Sequence, residues 1–166
     1  MSLFSFFKGE QKKEISQLQA KLDEQFHAID DDILSTCACY AGLFAKVAYS
    51  DFDISHDEIA KMKKILGNLT HLNKDTIDVI VEIAVSDMKE LSGLEDHFYT
   101  QGLTNKLSEK EKGDLLIALF ALAAVDNHVE EAEVESIRSI ATGLNLGRPH
   151  FVAAKAQFAD FLASLK

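Results

Sequence analysis

Apolar residues recur at helical spacing along nearly the whole chain. Ile15, Leu18, Leu22, Phe26 and Ile29 form one stripe, and Ile59, Met62, Leu66 and Leu69 form a second. Ile77, Ile80, Val81, Ala84, Met88 and Leu91 make a third. Val134, Ile137, Ile140 and Leu144 follow, and Phe151, Phe158, Leu162 and Leu165 close the series. Steps of three and four residues gather each set on one side of a helix. No stretch alternates with period two between turn signals, and the single proline is Pro149. Two segments, Ile33 to Tyr49 and Leu115 to Val125, are apolar nearly all round, the pattern of a helix surrounded by others. The spacing predicts an all-α, single-domain helical bundle of about seven to nine helices with those two segments at its centre.

The boundary signals agree with this reading. Asp30, Asp31 and Asp32 precede the first central segment, where negative charge suits a helix N-terminus. Ser108 with Glu111 is a capping box before the second. Ser92-Gly93 is suited to end the preceding helix, and Pro149 to the first turn of the last one. Residues 1–29 are expected to be an aromatic segment and an amphipathic helix packed on a core formed by residues 30–166.

The chain also repeats itself. Shifted by 75 residues, AKVAYSDFDISHDEIAKMKKILGNL (45–69) falls on FALAAVDNHVEEAEVESIRSIATGL (120–144). Asp51 meets Asp126, Glu58 meets Glu133, Ile65 meets Ile140 and Leu69 meets Leu144. Asn68 falls on Gly143, residue types that readily end a helix in the left-handed conformation. The expected unit is central helix, acidic loop, amphipathic helix, cap and further helix, once over about 37–91 and again over about 112–165.

The acidic loops are the candidate chemistry. Counted as a calcium loop from Asp51, Asp53 and Ser55 fall on ligand positions, but His56 stands where glycine is needed and Met62 where glutamate is needed. The second loop has Asp126, His128 and Glu130, then Glu131 and Ile137 at those two places. Neither is an EF-hand. Ser55 and Glu58 read as a capping box, with Ile54 and Ile59 as its hydrophobic staple. Asp51 and Asp126 are different. Each follows an apolar helix, whose C-terminal end disfavours an anion by about 0.3–1 kcal/mol. An Asx turn, a basic neighbour or a bound cation would offset that cost. Asp51 and Glu58 can meet across a tight turn, joined by Asp53, and Asp126 and Glu133 likewise, joined by His128. These six are the candidate ligands for a divalent cation such as calcium or magnesium. Turn-making alone is the competing reading.

The two copies read AYSDFDISHDE and AAVDNHVEEAE. At these residues the sequence resembles the TerB-like family, named after a bacterial tellurite-resistance protein. The same domain type resembles the N-terminal region of DjlA-type co-chaperones. The family pattern is an alanine-rich helix end, Ala-Asp-Gly, a hydrophobic residue two positions on and a glutamate in the next helix, repeated once. The resemblance implies an all-helical fold and a metal-linked role in stress responses at the inner face of the membrane. It places the family's acidic positions on Asp51, Glu58, Asp126 and Glu133. The glycine after each aspartate is here Phe52 or Asn127. Asn127 adopts the left-handed conformation readily and Phe52 poorly, which puts the first site in question if the loop geometry is to be kept.

Composition narrows the function further. The formal charge is −10, so no nucleic acid partner is expected, because phosphate binding needs a basic face. Cys37 and Cys39, two residues apart on a helix, are expected to be small buried thiols in a reducing compartment. No secretory signal is visible, and the run from Leu115 to Val125 is too short to span a bilayer, so a cytoplasmic location is expected. His56, His71, His97 and His128 show no zinc spacing, and Glu95-Asp96-His97 reads as a solvated helix start. No nucleophile elbow, P-loop or dinucleotide fingerprint occurs, so no enzyme is expected. Leu3, Phe4, Phe6 and Phe7 are expected to tuck into the bundle; the alternative is contact with a membrane or a partner groove. Two classes remain: a metal-responsive stress protein of TerB type, and a helical module for a protein partner, whose chaperone link would need a separate chain.

Overall fold

In the computed structural model, which describes residues 30–90 and 97–162, seven α-helices and three short 3-10 turns follow one another, with no strand among the described residues. Helix α1 spans Asp31–Ala48 and runs into a 3-10 turn, Tyr49–Asp51. Helices α2 (His56–Thr70) and α3 (Lys74–Glu90) follow, then α4 (His97–Thr104). Helix α5 (Glu109–Ala123) runs into a second 3-10 turn, Ala124–Asp126, and is followed by α6 (Glu131–Gly143), α7 (Arg148–Ala156) and a last turn, Ala159–Phe161. The all-α expectation therefore holds. The expectations for residues 1–29, Leu91, Ser92-Gly93, Glu95, Asp96 and Leu165 lie outside the described residues.

The caps form as the sequence predicts. Asp30 Oδ1 accepts the Asp32 N–H at 2.8 Å and starts α1. Ser108 Oγ accepts the Glu111 N–H at 3.2 Å while Glu111 Oε2 accepts the Ser108 N–H at 2.7 Å, so two orphan donors are satisfied reciprocally at the start of α5. Pro149 sits in the first turn of α7.

Helix α1 is the axis of the molecule. Helices α2 to α6 all pack on it, and Cys37, Ala41, Leu43, Phe44, Ala45 and Val47 are excluded from solvent. The stretch Asp32–Asp51 is long and apolar enough to cross a membrane by length and composition, but 72% of it is buried inside the bundle. Helix α5 is the second centre, with Leu115, Leu116, Leu119, Phe120 and Leu122 fully buried. Phe120 stacks on Phe158 and meets Phe151, both at 5.8 Å between ring centroids, which closes the bundle with the last helix. Both cysteines are free and buried, and burial pushes each thiol up to about 12.

One local expectation is corrected. The left-handed ends fall at His71 (φ 56°) and Asn145 (φ 59°), not at Asn68 and Gly143. Helix α2 continues through Asn68, and α6 ends at Gly143 with a right-handed cap residue, Leu144. Gly143 serves packing instead. A Cβ there would stand 2.6 Å from Thr100 Oγ1, so glycine lets α4 and α6 approach closely. Tertiary contact explains this glycine where a local signal was sought.

Candidate functional site

Each acidic loop is built by the same local steps. After α1 the Phe52 N–H donates to the Tyr49 carbonyl at 2.9 Å; after α5 the Asn127 N–H donates to the Ala124 carbonyl at 2.9 Å. The chain then reverses through a left-handed residue. Phe52 has φ 67°, ψ 16° and Asn127 has φ 67°, ψ 17°. The phenylalanine thus adopts the geometry a glycine would allow, and the first loop keeps the shape of the second despite its side chain. A left-handed residue other than glycine costs about 1–2 kcal/mol, which the surrounding turn must hold in place.

The aspartates at the helix ends are explained by Asx turns. Asp51 Oδ1 accepts the Asp53 N–H at 3.1 Å, and Asp126 Oδ1 accepts the His128 N–H at 3.0 Å. The next helix is then capped. Ser55 Oγ accepts the Glu58 N–H at 3.2 Å, and Glu58 Oε2 accepts the Ser55 N–H at 2.7 Å. In the second loop Glu130 stands where the first has Ser55, and its N–H donates to Glu133 Oε2 at 2.8 Å. Ile54 and Val129 are buried beneath the loops, and the Val129 N–H donates to the Phe161 carbonyl at 3.0 Å, tying the second loop to the last turn.

The decisive arrangement lies between the loops. The first 3-10 turn packs on α6, and the second packs on α2. Ser50 Oγ and Ser136 Oγ meet at 2.9 Å across that junction. Each turn therefore faces the helix that carries the other unit's glutamate. Burial raises the Glu58 carboxyl above its usual range, Ser55 opposes this with two hydrogen bonds, and Asp51 and Asp126 both add to the rise. Burial also pushes Glu133, which is only 7% exposed, up to about 7. The Glu130 N–H opposes that shift, and Glu58, Asp126 and Asp51 reinforce it. Asp51, Glu58, Asp126 and Glu133 thus form one electrostatic group spanning both halves, where the sequence suggested two separate sites.

Asp53 and His128 belong to the loops through their backbone N–H groups. The Asp53 side chain is exposed, and His128 Nε2 turns to Glu130 Oε1 at 3.1 Å. Among the described residues, no three His, Cys, Asp or Glu side chains are close enough together to hold a metal ion as they stand. Each of the four clustered carboxylates has one oxygen engaged by a backbone N–H and a second oxygen without such a bond among the described residues. Any ion would have to draw these second oxygens together and complete its shell with water. The Ser50–Ser136 contact carries no sequence signal. Serine is ordinary on a polar surface, and only the packing of α6 on the first turn joins these two.

No curated protein and no solved structure is significantly similar to the chain. The profile of the tellurite resistance protein TerB family matches residues 37–156, which begin within α1 and end with α7 and so enclose both acidic loops. With more than half of its length matched, the chain belongs to the TerB family.

Proposed function

We propose that this TerB-family chain is a non-enzymatic stress-response protein of the cytoplasmic side, acting at the inner face of the membrane, whose two acidic turns together take up a hard divalent cation, calcium or magnesium. The observation that carries this reading is the crossing of the two turns. Four carboxylates from both halves repel one another there, and the most buried of them, Glu133, is raised to about 7. Carboxylates in that situation gain from a proton or from a cation. Oxygen ligands suit calcium and magnesium. The ligand set is not assembled in advance, so the affinity expected is weak, about 10⁻⁴–10⁻³ M.

The test is a thermal melt with and without millimolar divalent ion, on wild type and on Asp51→Asn/Asp126→Asn, beside a calorimetric titration of each ion. A ligand that binds the folded state raises the midpoint by mass action. Wild type should rise and the double variant should respond much less. An equal response of both, or no heat of binding, removes the cation reading.

A second reading, a helical module for a protein partner with no metal role, is favoured by Phe52. The residue is 80% exposed, its ring beside that of Tyr49 at 5.9 Å, and it directly follows Asp51 in the first acidic turn. A solvent-facing aromatic among acids suits a partner with a basic rim and an apolar anchor. Loss of the cation reading would leave this one in its place.

A further inference from the structure

On α2, away from the acidic turns, Ala60, Lys63, Lys64 and Gly67 share one helical face. That face and the start of α3 line an open groove of about 440 Å³. Its apolar wall is made by Ala60, Gly67, Leu72 and Ile77, and Ile77 is almost wholly buried. Its charged wall is made by Lys63, Lys64 and Lys74, with Asp78 as the one acid. Lys63 Nζ is held by Asp78 Oδ1 at 3.3 Å. Lys64 and Lys74 are exposed and have no ion-pair partner among the described residues. Lys74 also opens α3, whose N-terminal end carries partial positive charge. A chain of formal charge −10 thus keeps a hollow whose mouth is cationic.

The aligned positions in the other half are filled differently. Gly67 corresponds to Thr142, whose hydroxyl donates to the Arg138 carbonyl of its own helix at 3.2 Å. Lys63 corresponds to Arg138, which lies over the Phe151 ring at 5.0 Å and pairs with Glu135 at 3.2 Å. Lys64 and Lys74 correspond to Ser139 and Pro149. The two lysines and the glycine belong to the first half alone. Gly67 is also costly where it is, because glycine inside a helix is less stable than alanine by roughly 1 kcal/mol. A Cβ at Gly67 would have no atom within 4 Å, so packing does not require the glycine; its effect is to leave the hollow open.

We infer that this groove is a binding site for a small amphipathic anion, a single-chain carboxylate of the medium-chain fatty acid kind. Its volume lies in the range of small-molecule sites, which are mostly apolar with a few placed polar groups. The chain of the ligand lies along Leu72 and Ile77, in the space beside Gly67, and its carboxylate meets Lys64 and Lys74 away from Asp78. A second hollow of about 300 Å³, lined by Ile59, Glu82, Val85, Ser86 and Lys89, lies farther along the same helix pair.

The probe is decanoate, titrated into the full chain below its micelle concentration by calorimetry and by methyl NMR. Saturable one-to-one binding is expected, with shifts at the Leu72 and Ile77 methyls. Decanol, equal in length but neutral, should bind on the order of tenfold more weakly, as should decanoate to Lys64→Glu/Lys74→Glu. Gly67→Leu places its side chain in the hollow and removes an unfavourable helix glycine. It should abolish binding while its melting temperature stays level or rises. Equal affinity for decanoate and decanol, undiminished binding to Gly67→Leu, or no saturable binding to wild type overturns the inference.

Discussion

Ser50 and Ser136 share a hydrogen bond of 2.9 Å that joins the turn after α1 to the helix carrying Glu133. Ser50 Oγ also donates to the Lys46 carbonyl at 3.3 Å. A hydroxyl has one proton, so Ser136 is the donor to Ser50. The bond clamps the two halves together beside four carboxylates that repel across the same junction. Replacing either serine by alanine should cost about 0.5–1.5 kcal/mol, and the pair should couple in a double-mutant cycle measured by denaturant unfolding. Strictly additive losses would mean that the two hydroxyls do not hold the junction.

Glu133 gives the stability a pH dependence of defined sign. Burial first, then the neighbouring carboxylates, moves it from 4.5 to about 7. Between those values the folded protein keeps a proton that the unfolded chain has released. Stability from this group is complete below about pH 4.5 and is lost as the pH rises through about 7. Glu58, also raised, acts in the same direction. The urea midpoint of the wild type should therefore fall between about pH 5 and about pH 8, and Glu133→Gln should flatten that fall. A midpoint that climbs over this range in wild type relative to the variant would contradict the buried cluster.

Phe52 is held at φ 67° with its ring in solvent. Asparagine tolerates the left-handed region better, and Asn127 already occupies the matching place in the second loop. Phe52→Asn should stabilise the protein by about 0.5–1 kcal/mol in equilibrium unfolding, net of the lost edge contact with Tyr49. Destabilisation would show that the ring contributes more to the fold than its exposure indicates.

Leu119 is excluded from solvent at the middle of α5. Leu119→Ala should cost about 2–5 kcal/mol, the range for a buried leucine that leaves a cavity. Ser55→Ala should cost about 0.5–2 kcal/mol, because it orphans the Glu58 N–H at the start of α2. The two losses, read from denaturant curves, should add, since one lies in the core and the other at an exposed cap.

The sequence by itself determined most of the helices, most of their caps and the burial of the two central segments; of α4 it placed only the start, and it ran the last helix on through Phe158 and Leu162, where the structure ends α7 at Ala156 and turns. What it determined follows from short-range causes. Apolar residues at steps of three and four make a helix amphipathic, and Ser55, Ser108 and Asp30 satisfy donors within three residues of themselves. The same locality made the acidic turns visible as paired features. It could not say that Asp51 answers to α6 and Asp126 to α2, that Glu133 would be buried within electrostatic reach of three other carboxylates, or that Gly143 admits Thr100 rather than turning left-handed. It also gave Phe52 too little latitude. The preference of one residue for its backbone angles is worth about 1–2 kcal/mol, and a turn anchored on both sides can override it. The tertiary structure decided these points because electrostatic repulsion and close packing depend on distances between segments, and the spacing of residues along one helix does not contain those distances.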